Sequence, residues 1–251
     1  MTFSHCDLKF SHRTVFENFH FELVPGKWTC LLGQSGIGKS SLLKIIAKLI
    51  EPDSIKINTS LDISYLPQQD CLMPWLSVLD NVVIGKILRN QPRDAQTKAK
   101  ALSLLKRVGL DGTAKLKPHE LSGGMRQRVA LVRTLMEDKP VILMDEPFSS
   151  LDIPTRLELH DLTTELLEGK TVLLVTHDPL DAIGLAHRVH IMAGSPAQLS
   201  EPFLFDTPKP RNWKDKSVVE QYIKLLQALC HSAVSQETTF KFSIDNEHSH
   251  P

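Results

Sequence analysis

The sequence predicts an α/β chain with a mostly parallel central sheet, an antiparallel β layer and an inserted helical subdomain. Three observations carry this expectation. Short apolar runs bounded by Gly, Asp or Thr read as strands buried on both faces. One of them, residues 28–32, feeds a glycine-rich turn that opens a helical pattern, the strand–loop–helix order of a phosphate-binding α/β unit. The stretch from about residue 77 to 120 then turns helical before strand-like texture returns.

In chain order, residues 3–8 and 15–23 alternate enough to form an antiparallel layer. The clear buried strands are 28–32, 141–144 and 172–176, with 63–66 a weaker one. A helix is expected over 41–49. Ser77 can N-cap a helix through Val82 and Leu88, and 95–108 carries Leu102, Leu105 and Val108 on one side. After Phe205 the chain becomes Pro- and charge-rich, then offers an amphipathic helix over roughly 217–229 and a polar tail. His248 and His250 in that tail read as a frayed terminus ahead of a metal site. The expected division is a main domain over 1–205, holding the helical insertion at about 77–120, and a C-terminal helix and tail over 206–251.

Composition excludes several classes. The 251 residues balance 29 Lys plus Arg against 29 Asp plus Glu, whereas nucleic-acid binders run basic. No nucleic acid partner is expected. Cys6, Cys30, Cys71 and Cys230 show no paired spacing and read as reduced thiols. The first residues lack a charged start followed by an apolar run, so no secretory signal is expected. The longest apolar runs fall far short of the ~20 residues of a membrane span. A membrane role must come through a partner.

Gly33-Gln34-Ser35-Gly36-Ile37-Gly38-Lys39-Ser40, followed by Ser41, fits GxxxxGK[ST], the Walker A loop. The glycines permit backbone angles that turn successive N–H groups onto phosphate oxygens. Lys39 brings a charge to the β- and γ-phosphates, the Ser40 hydroxyl is placed for Mg²⁺, and the following helix offers its positive end. ATP and Mg²⁺ are the expected ligands. Residues 141–146 deliver an acid pair at the end of an apolar strand. Asp145 is suited to Mg²⁺ and Glu146 to polarising a water as general base.

Leu121-Ser122-Gly123-Gly124-Met125 opens a helix, so a hydroxyl and free N–H groups face outward as a second anion site. This segment resembles the ABC signature, and the chain is similar to the ABC transporter ATP-binding family over roughly residues 3–205. The resemblance implies that two copies pair head to tail, each signature completing the partner's Walker A site. It implies a Q-loop glutamine at Gln68, a catalytic and metal-contacting position, with Gln69 an adjacent rival. It implies a D-loop around Asp152, a switch histidine at His177, and adenine stacking by Phe10, to which His12 is close. Three features depart from the pattern: Pro67 before Gln68, a short stretch over 50–65, and Ser149-Ser150 in the D-loop.

The lack of a long coiled coil, a second cassette or an appended β domain leaves a compact transport ATPase. Residues 72–82 and 175–182 are similar to importers of nitrate, taurine, alkanesulfonates and thiamine precursors. That resemblance implies uptake of a small polar organic solute or anion, with an integral-membrane permease and an extracytoplasmic solute-binding protein as partners. Pro74 and Trp75 either line the groove that grips the permease or pack within the helical subdomain. The expected location is peripheral, at the cytoplasmic face of the cell membrane. An exporter ATPase and a non-transport ABC ATPase, such as an iron–sulfur assembly factor, remain the alternatives.

Overall fold

Short, mostly apolar runs become the buried strands of the fold. The computed structural model describes residues 2–10, 12–57, 62–209, 211 and 214–247, with side chains described to residue 231. The chain forms two compact units, Met1–Ser60 with Leu174–Pro251, and Leu61–Leu173.

In the first unit, β1 (Thr2–Phe10), β2 (Arg13–Glu22) and β4 (Ser54–Ile57) make an antiparallel sheet in the order β2-β1-β4. Its apolar face carries Phe3 stacked on Phe21 and Phe16 packed on Phe19, at centroid distances of 6.1 and 4.6 Å. β3 (Trp28–Leu32), buried throughout, runs parallel to β8 (Arg188–Ala193). β9 (Gln198–Leu199) and β10 (Phe203–Leu204) pair with β8 antiparallel. α1 (Lys39–Ile46) follows β3 and buries Leu42, Leu43, Ile45 and Ile46. α7 (Pro179–Leu185) packs near β3, and α8 (Lys216–Glu247) packs near α7 and β8.

The second unit holds β5 (Ile63–Leu66) parallel to β6 (Val141–Asp145). Its helices are α2 (Val78–Val82), α3 (Ile84–Leu88), α4 (Ala95–Arg107), α5 (Gly123–Met136) and α6 (Ile153–Leu166). β7 (Thr171–Thr176) carries the chain back to the first unit. The result is an α/β fold with mostly parallel pairing, a separate antiparallel layer, and helices between strands, as the sequence predicts.

Local chemistry explains the helix starts. Ser77, Asp94, Ser122, Asp152 and Asp178 each accept a backbone N–H from the first turn that follows. The structure corrects two details. The segment after Ser77 is two short helices, because Val83 leaves helical geometry at φ −100° and ψ 12°. On α4 the buried stripe is Thr97, Ala101, Leu104 and Leu105, which turns Leu102 out to solvent. Cys6, Cys30, Cys71 and Cys230 are free thiols.

Candidate functional site

In the first unit, β3 delivers the chain into the loop of Gly33–Gly38. Gly33 has no room for a side chain, since a Cβ there would collide with the Met192 carbonyl oxygen. Gly36 and Gly38 hold φ of 80° and 119°, the left-handed region that glycine tolerates. Gly38 is also crowded: a Cβ would lie 2.7 Å from Val15 Cγ1 and 3.2 Å from Phe16 Cζ. So β2 packs against the loop at Gly38 through Val15 and Phe16. Phe10 itself is 47% exposed.

No side chain caps α1. Its positive end therefore faces the loop. Lys39 is buried, and its Nζ donates to the carbonyls of Gly33 at 2.6 Å and Gln34 at 2.8 Å. That brings a fixed positive charge across a concave run of backbone. Gln34, Ser35 and Gly36 are exposed, Ser40 and Ser41 half-buried, and Ile37 packs inward. The chemistry of this donor set fits phosphate oxygens.

His177 follows β7 in the same unit and is exposed. Sequence reading missed its scaffold. Thr176 Oγ1 bonds the buried Asp181 at 3.1 Å and accepts the Asp178 N–H at 3.0 Å, while Asp178 caps α7 through Leu180 N. The turn that presents the imidazole is thus fixed on both sides.

In the second unit, β6 ends on Asp145 and Glu146, which are 2% and 6% exposed. Glu146 holds φ of 51°, a left-handed conformation rare for a residue with a Cβ. Its carbonyl accepts from the Ser149 N–H at 3.4 Å and Oγ at 3.1 Å, and Gln127 Nε2 donates to the Pro147 carbonyl at 3.3 Å. Tyr65, on the adjacent β5, points its hydroxyl at Asp145 Oδ2 across 3.5 Å. Burial and the Asp145 charge push the Tyr65 phenol up, so it stays a donor. Nothing in the sequence flagged Tyr65; only the parallel register, which sets Tyr65 opposite Leu143, brings it there.

Gln68 and Gln69 are both exposed just past β5. Ser122 caps α5 by accepting the Met125 N–H at 3.3 Å, which leaves its own hydroxyl proton free to donate outward. Ser122 and Gly123 are exposed, Gly124 and Met125 half-buried, and Leu121 buried. A Cβ on Gly124 would lie 3.2 Å from Leu151, so the signature-like turn sits against the Ser150–Leu151 segment. Asp152 accepts the Thr155 N–H at 3.4 Å and caps α6; bonding to Thr155 holds its carboxyl below the usual range. α5 also grips the segment after Gln68. Arg126 Nε pairs with Asp70 at 2.9 Å, and Arg133 donates to the carbonyls of Asp70 at 2.6 Å and Cys71 at 2.8 Å. The second unit thus joins the Gln68 segment, the 121–125 turn, the Asp152 loop and the Glu146 turn through one helix.

Known proteins place this arrangement. Residues 16–149 match the family model described as ABC transporter. An uncharacterized ABC transporter ATP-binding protein of Haemophilus influenzae is 40% identical over 88% of this chain and 95% of its own length. An aliphatic sulfonates import ATP-binding protein of Rhodococcus jostii is 40% identical, covering 88% of each chain. A solved ATP-binding cassette, a dimer in a post-hydrolysis state with ADP and Pi, superimposes with a TM-score of 0.71 at 28% identity. That superposition covers 85% of this chain and 100% of the other.

Proposed function

The chain belongs to the ABC transporter family of ATP-binding proteins, and from that premise we propose that it is the ATPase subunit of an importer for a small organic anion. ATPase activity follows from the family. The observation that carries the reading is the loop of Gly33–Gly38: two left-handed glycines, an uncapped helix start and a buried lysine. Together they answer the charge and shape of a polyphosphate.

Gly33, Gln34, Ser35, Gly36, Ile37, Gly38, Lys39, Ser40 and Ser41 then wrap the phosphates, and Phe10 stacks on adenine. Ser40, Asp145 and Gln68 would hold Mg²⁺, which neutralises charge on the phosphate oxygens when bound. Glu146 takes a proton from the attacking water, and His177 donates to the γ-phosphate. Leu121–Met125 and Asp152 serve the nucleotide of a second copy in a head-to-tail homodimer.

An aliphatic sulfonate importer among the relatives supports an organic anion as cargo, passed by an extracytoplasmic binding protein to a membrane permease. None of the described helices is long and apolar enough to cross a membrane, in keeping with a subunit that attaches to such a permease from the cytoplasmic side. Trp75 offers the docking surface. It is 68% exposed, and the buried Asn81 pins its loop by bonding Met73, Leu76 and Ser77. A large aromatic held outward on a rigid loop is a binding anchor. Trp75→Ala should cut permease-stimulated hydrolysis and uptake severalfold while basal hydrolysis by the free subunit holds. Equal loss of both activities would return Trp75 to a packing role.

A further inference from the structure

Away from the phosphate loop, the first unit contains a cavity of about 450 Å³ between the turn before β3, the start of β8 and the segment after β10. Its wall mixes two chemistries. Val24, Leu204, Phe205 and Pro208 are apolar, whereas Lys27, Arg188 and Lys209 are cationic. Asp206 is the only acid in the lining. Among the described residues none of the three cations is in an ion pair, and Arg188 Nε is buried without a hydrogen-bond partner. The Lys209 ammonium lies 4.1 Å from the Trp28 ring centroid, a contact that holds it at the wall without neutralising it.

The wall is built, not loose. Arg211, 4% exposed, donates to the carbonyls of Ile183, Ala186 (2.8 Å) and Phe205 (3.1 Å) and to Thr207 Oγ1 (2.8 Å). It thereby ties the segment 205–211 to the carboxyl end of α7. His187 accepts the Trp28 N–H at 2.9 Å through Nδ1 and sits at about 4, pulled down by burial, so it is neutral at working pH. Concentrated positive charge beside an apolar wall, with a single acid to offset it, is costly unless an anion joins it.

We propose that the pocket of Val24, Lys27, Arg188, Phe205, Pro208 and Lys209 binds a small organic anion with a short apolar tail. The cations take the anionic head and the apolar wall takes the tail. The site is distinct in residues from the phosphate loop, so it stands or falls independently of ATP binding.

Protonation gives the site a signature. Burial, with Arg211 and Lys27 nearby, pulls Lys209 down to about 7. The other charged groups around it are Arg188 and Asp206, which line the same pocket. An anion favours the charged form, so binding takes up protons at neutral pH. Affinity should rise by up to about tenfold from pH 8 to pH 6 as Lys209 becomes charged.

The probe is hexane-1-sulfonate, titrated calorimetrically into the full chain with saturating Mg-ADP, beside inorganic sulfate and 1-hexanol. The expected result is saturable binding at least about tenfold tighter than sulfate, with proton uptake and no binding of hexanol. Lys27→Met and Lys209→Met, each with an unchanged melting profile, should weaken it about tenfold, and Lys209→Met should flatten the pH dependence. Unchanged affinity in both variants overturns the proposal. So does binding that Mg-ADP displaces and Lys39→Ala abolishes, which would assign the anion to the phosphate loop. Flotation on phosphatidylglycerol vesicles that requires Lys27, without hexane-1-sulfonate binding, would assign the site to lipid and overturn the small-anion reading.

Discussion

Glu146 leaves β6 at φ 51°, a conformation that costs a non-glycine residue on the order of 1 kcal/mol or more. The turn is held there by the Ser149 bonds to the Glu146 carbonyl and the Gln127 bond to Pro147. Such strain aims the carboxylate without asking its own side chain to find the pose. That Glu146 follows the end of a buried strand was legible in sequence, because the apolar run of residues 141–144 stops at the acid pair. Its backbone strain was not, nor was Tyr65 beside Asp145, since both depend on neighbours distant in the chain. Glu146→Gln keeps shape and turn while removing the base. Hydrolysis should fall by about 10²–10⁴ with ATP affinity and melting temperature intact, read by phosphate release and nucleotide titration. Full turnover in that variant would remove Glu146 from the proton transfer.

At the scale of elements, α5 is the organiser of the second unit. Its first turn presents Ser122 and Gly123 outward, while Arg126 and Arg133, one and three turns along, hold Asp70 and Cys71. In sequence these arginines read as ordinary charges on a helix, so the coupling between the signature turn and the Gln68 loop was invisible. Other elements were missed for nameable reasons. β8 breaks the apolar pattern with His190, buried because its Nδ1 meets the Ser200 carbonyl at 2.9 Å. β10 is two residues long, too short for any periodicity. By contrast β3 and β5 match their expected bounds, because a run bounded by turn residues leaves little freedom. Arg133 is half-buried, and its two bonds go to the Asp70 and Cys71 carbonyls. Arg133→Met should lower unfolding free energy by about 2–4 kcal/mol, the scale of two charged hydrogen bonds. Amide exchange should quicken over residues 70–73 before it does in the middle of α5. Uniform acceleration across the second unit would make Arg133 a general stabiliser and not a loop clamp.

For the whole molecule, the question is how two anion-facing helix starts in one chain, α1 and α5, serve one nucleotide. Lys39 belongs to the first unit and Ser122 to the second, and the cassette relative is a dimer. We take each ATP to lie between Lys39 of one copy and Ser122 of the other. In a Glu146→Gln background, which blocks hydrolysis, Lys39→Ala and Ser122→Arg can be made separately. Each homodimer then has two defective sites and should trap no ATP. In the mixed dimer one site collects both defects, while the other pairs an intact Lys39 with an intact Ser122. Equimolar mixing should therefore restore about one trapped ATP per mixed dimer, as expected if binding requires both surfaces. With mixed dimers verified by differential tagging, trapping no better than in either homodimer would mean that each chain closes its site alone.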